Sequence, residues 1–176
     1  MKTLYIVFLF ISTLGLSLFQ NQPIDTSASE VNFKISNFGL NTVKGSFKNM
    51  HGTFNFNPKD IENSNFDICI EAATINTGNK KRDKDLRSED FFEVEKYPNI
   101  CFKSTTVEKF DGKYITKGNL TVHGVTKVVE IPFEMTNNTF TGYFEIERLD
   151  YNVGKDTGTF MVGNTVKITI RCVIKS

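Results

Sequence analysis

Two histidines, three cysteines and one band of clustered charge could do chemistry in this chain, and their spacing excludes most of it. His51 and His123 each precede a glycine, in "MHGTF" and "VHGVTK". Neither has a second His, Cys or carboxylate at ligand spacing, so they read as turn residues rather than metal ligands. Cys69, Cys101 and Cys172 are odd in number and widely separated. That suits neither a disulfide framework nor a metal knuckle; they read as small apolar residues, with one disulfide open to them in an oxidising compartment. The carboxylate pairs Asp83 with Asp85 and Glu89 with Asp90 lie in a charged run expected to be solvated, a weak basis for acid–base catalysis. No serine sits in a Gly-x-Ser-x-Gly elbow, and there is no phosphate loop or GxGxxG. The sequence predicts no enzyme, no metal and no catalytic residues.

The charged band is "TGNKKRDKDLRSEDFFEVEKYPNICFKS", and its signs are segregated. From Lys80 to Arg87 there are five basic and two acidic residues; from Glu89 to Lys96 there are four acidic and one basic. The i,i+4 pairs Lys81 with Asp85 and Asp83 with Arg87 predict one or two helical turns over Lys80–Arg87. Ser88 followed by Glu89 and Asp90 predicts the N-cap of a helix that Tyr97-Pro98 stops. Leu86, Phe91 and Phe92 then form the apolar underside of a short helical crossover. Either this segment is a plug that completes the core, or it is a lid over a ligand, with Lys80, Lys81, Arg82 and Arg87 available to an anionic head group.

Everything around the band repeats with period two, the strand period. Val31, Phe33 and Ile35 alternate with polar residues, and a second strand runs through Val43, Gly45 and Phe47. The alternation restarts at Phe54 and Phe56, with Gly52 expected to absorb a bulge or bend. Phe66, Ile68, Ile70 and Ala72 share one face, with Asp67, Cys69 and Glu71 on the other. "DG" after "NICFKSTTVEKF", then "HG" and "NN", are turn signals at intervals of about ten residues. Between and after them, one face carries Leu120 and Val122, then Ile131 and Phe133, then Phe140, Phe144 and Ile146, and last Val166, Ile168, Ile170, Cys172 and Ile174.

The count is about eight strands, each with one apolar face. That suits an antiparallel barrel wide enough for one small ligand, or equally a two-sheet sandwich. The candidate pore residues are Phe33, Ile35, Phe54, Phe56, Ile68 and Ile70 from the first half and Leu120, Ile131, Phe133, Phe144, Ile168 and Ile170 from the second. They are a plain core if they fill the interior, and the wall of a dry tunnel if they do not. Gly45, Gly118 and Gly142 on the inward register favour a hollow interior, because missing side chains leave room, or equally mark bends that close the barrel.

With 176 residues, 39% of them hydrophobic, the chain is sized for one domain. It begins "MKTLYIVFLFISTLGLSLFQNQP", in which Lys2 precedes an apolar run from Leu4 to Phe19 too short for a bilayer span. This predicts a signal peptide over residues 1–22, cleaved between 17 and 22, and a barrel domain over 23–176 in the periplasm or secreted, with no stable membrane insertion after cleavage. Removing Lys2 balances the charge, which argues against nucleic acid and against a polybasic membrane contact. A homodimer is left open. Phe is over-supplied, 17 residues against 5 Tyr and no Trp.

Three stretches carry a family resemblance: "NTVKGSFKNMHGTFNFNPKD", "ATINTGNKKRDKDLRSEDFFEVEKYPNICFKST" and "GNLTVHGVTKVVEIPFE". They resemble the YceI-like family, exported lipocalin-like proteins that bind polyisoprenoids or related long-chain lipids. In the middle stretch Thr77-Gly78-Asn79, Arg82-Asp83, Leu86-Arg87-Ser88, Asp90-Phe91-Phe92 and Tyr97-Pro98 with Phe102 follow the family's order and spacing. The resemblance implies an all-β, eight-stranded antiparallel barrel with the crossover between the third and fourth strands, near one end. It also implies an apolar pore for an isoprenoid, quinone or fatty-acyl chain as the only expected bound group. In the family a His is common where Asp85 stands, and His-Ser often follows the opening Asp, where this chain has "SASEVNF"; roles of those histidines do not transfer. The competing expectation is a stress-response or interaction module that uses the barrel's exterior around a packed interior.

Overall fold

The computed structural model describes residues 21–175. The expected signal peptide therefore lies outside the described residues except for Asn21 and Gln22. Those two belong to the wall: the Asn21 and Gln22 side chains accept from the backbone N–H groups of Phe54 and Phe56, both at 3.2 Å.

Eight strands follow: β1 (Glu30–Asn37), β2 (Asn41–Asn55), β3 (Asn65–Asn76), β4 (Asn99–Phe110), β5 (Lys113–Val122), β6 (Val125–Thr136), β7 (Thr139–Glu147) and β8 (Val162–Val173). Each pairs antiparallel with the next, and β8 closes on β1, so the sheet is a barrel rather than a sandwich. The register brings apolar positions together at the seam: Val31, Phe33 and Ile35 of β1 face Ile170, Ile168 and Val166 of β8. A slip of one residue would turn all of them to water, so the alternation itself fixes the pairing.

β2 is a single long strand whose period is broken once. The inward residues Phe47, Met50 and Phe54 are all buried, yet they are spaced by three and then four positions, and the pairing with β3 shifts between Ser46 and His51. Asn49, at φ 57°, lies inside the shifted segment. A Cβ on Gly52 would collide with the Asp67 carbonyl, so glycine is required there by close approach and a positive φ of 123°; the expected bulge lies just before it, since Gly52 itself pairs in register with Ile68.

The end that carries Ile24 and Ile174 is closed. Ile24 bridges to Ile174, and the rings of Phe54, Phe56, Phe66, Tyr114, Phe133 and Phe140 fill the space behind them. Phe133 stacks on Phe140 at 4.5 Å and on Tyr114 at 5.3 Å, while Phe56 and Phe66 meet Phe133 edge-on. Each such pair adds roughly 0.5–1.5 kcal/mol beyond area burial. Much of the surplus of phenylalanine is spent in this floor.

The opposite end is covered by the crossover between β3 and β4. Helix α1 (Lys80–Arg87) is capped by Asn79, whose side chain accepts from the N–H groups of Lys81 and Arg82. Ser88 is not the N-cap of a second helix, as the sequence suggested, but the C-cap of this one: its hydroxyl donates to Asp85 O at 2.6 Å. Residues 89–97 form turns, with Glu93 at φ 45°. That conformation lets Phe91 reach over Gly154 and Phe92 pack edge-on against Phe47 at 5.4 Å.

Candidate functional site

Between the aromatic floor and the crossover lies a cavity of about 320 Å³. That is the lower end of the range for small-molecule sites. Phe33, Ile35, Phe54, Ile68, Ile70, Leu120, Ile131, Phe144, Ile168 and Ile170 line it, and Leu86, Phe91 and Phe92 cover it from the crossover. Two expected pore residues do not. Phe56 and Phe133 are packed into the floor with Tyr114, one layer further from the cavity.

The inward glycines are not what leaves the space. The ring of Phe33 occupies the place a Cβ would take on Gly45, and the ring of Phe102 together with the Lys103 backbone does so at Gly118. Ile131 and Phe140 crowd Gly142 in the same way. Glycine here lets a neighbouring aromatic side chain lie flat on the wall. Around the open interior, β1, β4 and β8 contribute Ile35, Ile100 and Val166, which line the cavity and are only half-buried.

The lining is asymmetric. Its polar side chains, Ser36, Asn37, Arg82, Asp85, Arg148 and the Tyr151 phenol, all come from the ends of strands or from segments at the crossover end. The opposite pole is Phe54, Phe66 and Phe140. Such a cavity is complementary to an amphipathic molecule with its apolar part inward.

The four cations expected at a head group do not converge. Lys80 and Lys81 are exposed and do not line the cavity. Arg87 is spent on the barrel rim, donating to the carbonyls of Ala73 and Ile75, both at 2.7 Å. Arg82 reaches the cavity but donates to the Thr77 hydroxyl at 2.8 Å and the Thr77 carbonyl at 3.0 Å. Asp83, buried, accepts from the Thr77 N–H and hydroxyl. These charges therefore fasten the crossover to the strand before it.

Arg148, which periodicity could not single out because it follows the last residue of β7, is the buried cation of the site, 4% exposed. Its five N–H donors reach five carbonyls: Gly163 from Nε, Val153 and Gly154 from Nη1, and Thr157 and Val162 from Nη2. No carboxylate lies within ion-pair distance of it among the described residues, and burial pushes its pKa down. It works as a keystone that folds residues 148–163 over the cavity. No group of three or more His, Cys, Asp or Glu able to hold a metal occurs among the described residues.

His123 and Gly124 form the two-residue turn between β5 and β6, at φ 49° and 73°. The ring of Tyr97 lies against both: 4.7 Å from the imidazole centroid, and on the spot a Gly124 Cβ would need. His123 Nε2 is 3.5 Å from the Glu93 carboxylate, and Nδ1 is 3.3 Å from Tyr151 O. The turn docks the crossover's second half. Cys69 and Cys101 face each other across β3 and β4 and form a disulfide, while Cys172 is free and buried.

The model of the YceI-like domain matches residues 23–174. The chain belongs to the YceI-like family. A UPF0312 protein of Photorhabdus laumondii is 34% identical over 154 residues, covering 81% of this chain and 80% of that one. A UPF0312 protein of Vibrio parahaemolyticus is 39% identical over 114 residues, 63% of this chain and 60% of its own length. Among solved structures, Burkholderia cenocepacia BcnA superposes with a TM-score of 0.78 at 26% identity, covering 86% of this chain and 99% of BcnA. A polyisoprenoid-binding domain from Saccharophagus degradans shares the fold at a TM-score of 0.68 and 17% identity, over 89% of this chain and 98% of that one. The YceI-like barrel is thus common to this chain and its neighbours.

Proposed function

We propose that this YceI-like barrel binds one long-chain lipid, a polyisoprenoid, quinone or fatty-acyl amide, without catalysis, and carries or sequesters it. The observation that supports this best is the asymmetry of the cavity, apolar at the aromatic floor and polar only beneath the crossover. A hydrocarbon tail gains about 0.8 kcal/mol for each CH₂ it buries against the floor, and its head can find acceptors at the other end. Asp85 offers acceptor oxygens there, Arg148 has all five donors engaged, and Arg82 donates to Thr77 from Nε and Nη2 only, which leaves its Nη1 for a ligand. The head group is therefore expected to be one that both donates and accepts, such as a hydroxyl or amide, between Asp85 and Arg82. The leader-like N-terminus and the Cys69–Cys101 disulfide favour a periplasmic or secreted protein.

Native mass spectrometry followed by organic extraction tests the reading. One co-purifying lipid per chain is expected, and chains offered polyprenols, quinones and fatty amides should load one molecule. Ile168→Phe, which fills the cavity from the wall, should lower uptake at least tenfold while leaving the melting temperature nearly unchanged. A protein that stays empty with all three classes would overturn the proposal.

A further inference from the structure

Four large apolar side chains stand in water at the crossover end. Leu40 is 95% exposed and Phe160 72%, and Phe38 and Met161 are half-exposed. They form one knuckle rather than scattered residues: Phe38 meets Phe160 edge-on at 6.4 Å, and the Phe38 N–H and the Asn37 side chain both donate to Met161 O, at 3.1 and 2.7 Å. These bonds hold the β1–β2 turn against the segment before β8 and keep its apolar tips outward.

The knuckle is continuous with the cavity. Ser36 and Asn37 lead into it, Val162 leads out of it, and all three line the cavity. β2 runs from Asn41 to Gly45 beyond the last residue paired with β3, so the turn projects past the rim. Helix α1 starts just after β3 and sends Arg82, Asp85 and Leu86 to the cavity. Its remaining cations, Lys80, Lys81 and Lys84, are exposed and have no ion-pair partner among the described residues.

We infer that the knuckle and α1 form a docking surface for an anionic phospholipid bilayer. Phe38, Leu40, Phe160 and Met161 enter the interface, and the three lysines lie over the phosphates. The inference rests on the carrier reading, since an apolar cargo passing between membrane and cavity at this mouth need not cross water. A projecting turn with a tip as exposed as Leu40 suits a yielding lipid surface better than a shaped protein groove. The lysines give it a sign.

Sedimentation of the purified protein with vesicles of phosphatidylcholine, alone or mixed with phosphatidylglycerol, tests the surface. The N-terminus should first be fixed by mass so that residues 1–20 contribute equally to every variant. Wild type is expected to bind mixed vesicles more tightly than neutral ones, and less tightly as salt rises. Leu40→Asp with Phe160→Asp should abolish binding to both. Lys80→Glu, Lys81→Glu and Lys84→Glu together should remove the preference for mixed vesicles, with a loss of about fivefold for each lysine. Circular dichroism and lipid occupancy by native mass spectrometry are read on every variant and should not change.

A wild type that carries lipid yet ignores both kinds of vesicle overturns the docking surface and leaves the carrier reading standing. Vesicle binding by a barrel that never loads supports docking and overturns the carrier reading. A mass that doubles with concentration and reverts in Leu40→Asp makes the knuckle a contact between copies and overturns docking.

Discussion

At the scale of single residues, Arg148 has no substitute. Five carbonyls bond to one guanidinium, three of them in buried contacts. Gly154 O also accepts from the Thr157 N–H, and each of the others left without a donor in the interior would cost roughly 1–3 kcal/mol. Arg148→Met keeps much of the volume and removes every donor. It should lower stability by at least about 3 kcal/mol, allowing for partial relaxation of the loop toward water. Arg148→Lys supplies three donors on one atom and should recover only part of this. Urea denaturation of the three proteins decides it, and a Met variant within about 1 kcal/mol of wild type would show that the loop closes without its keystone. The pairing of the cysteines was similarly beyond the sequence. Cys69 and Cys101 are 32 residues apart and meet only because β3 and β4 pair in one register.

At the scale of elements, strands were legible and the crossover only in part. Period-two alternation, with its turn dipeptides, places the eight strands, because in a barrel one face is always core. It could not show that Phe56 and Phe133 sit behind the cavity, since depth along a barrel does not alter the alternation. Helix α1 was legible from its charge spacing. The expected second helix was not formed because the Ser88 hydroxyl serves the carbonyl at the end of α1, and Phe91 and Phe92 need different directions. What holds that non-helical half in place is the Tyr97 ring on the His123-Gly124 turn. Gly112 makes a clean comparison, because its φ of 77° is close to the 73° of Gly124, yet nothing lies within 4 Å of the Cβ it lacks. Alanine at either site incurs the left-handed backbone cost of about 1–2 kcal/mol. Only Gly124→Ala also displaces Tyr97. It should therefore be the more destabilising by roughly another 1 kcal/mol, and should speed hydrogen exchange at the Lys96 and Tyr97 amides, which donate to Glu93 O. Equal costs at the two glycines, with unchanged exchange, would mean that the crossover is held elsewhere.

At the scale of the whole molecule, a closed barrel has no edge strand to fray, so unfolding should expose both poles together. Each pole contains an acid that burial holds protonated. At the end that carries Ile24 and Ile174 the Cys172 thiol is pushed up to about 12 by burial, and at the crossover end burial and the nearby Asp150 charge raise the Tyr151 phenol. In the unfolded chain these groups lose their protons near their ordinary values, about 9 and 10. Below pH 9 both states hold the same protons, and stability owes nothing to pH through these groups. Above it the unfolded state binds fewer protons than the native one, so stability falls as pH rises, until the folded groups also ionise. Cys172 alone should give a slope approaching about 1.4 kcal/mol per pH unit between its unfolded value and about 12. Cys172→Ala has no proton to lose there. The substitution will lower stability at neutral pH through the small cavity it leaves, but its stability curve from pH 9 to 11 should be shallower than that of wild type. Parallel curves would sink the assignment and leave the alkaline loss to Tyr151.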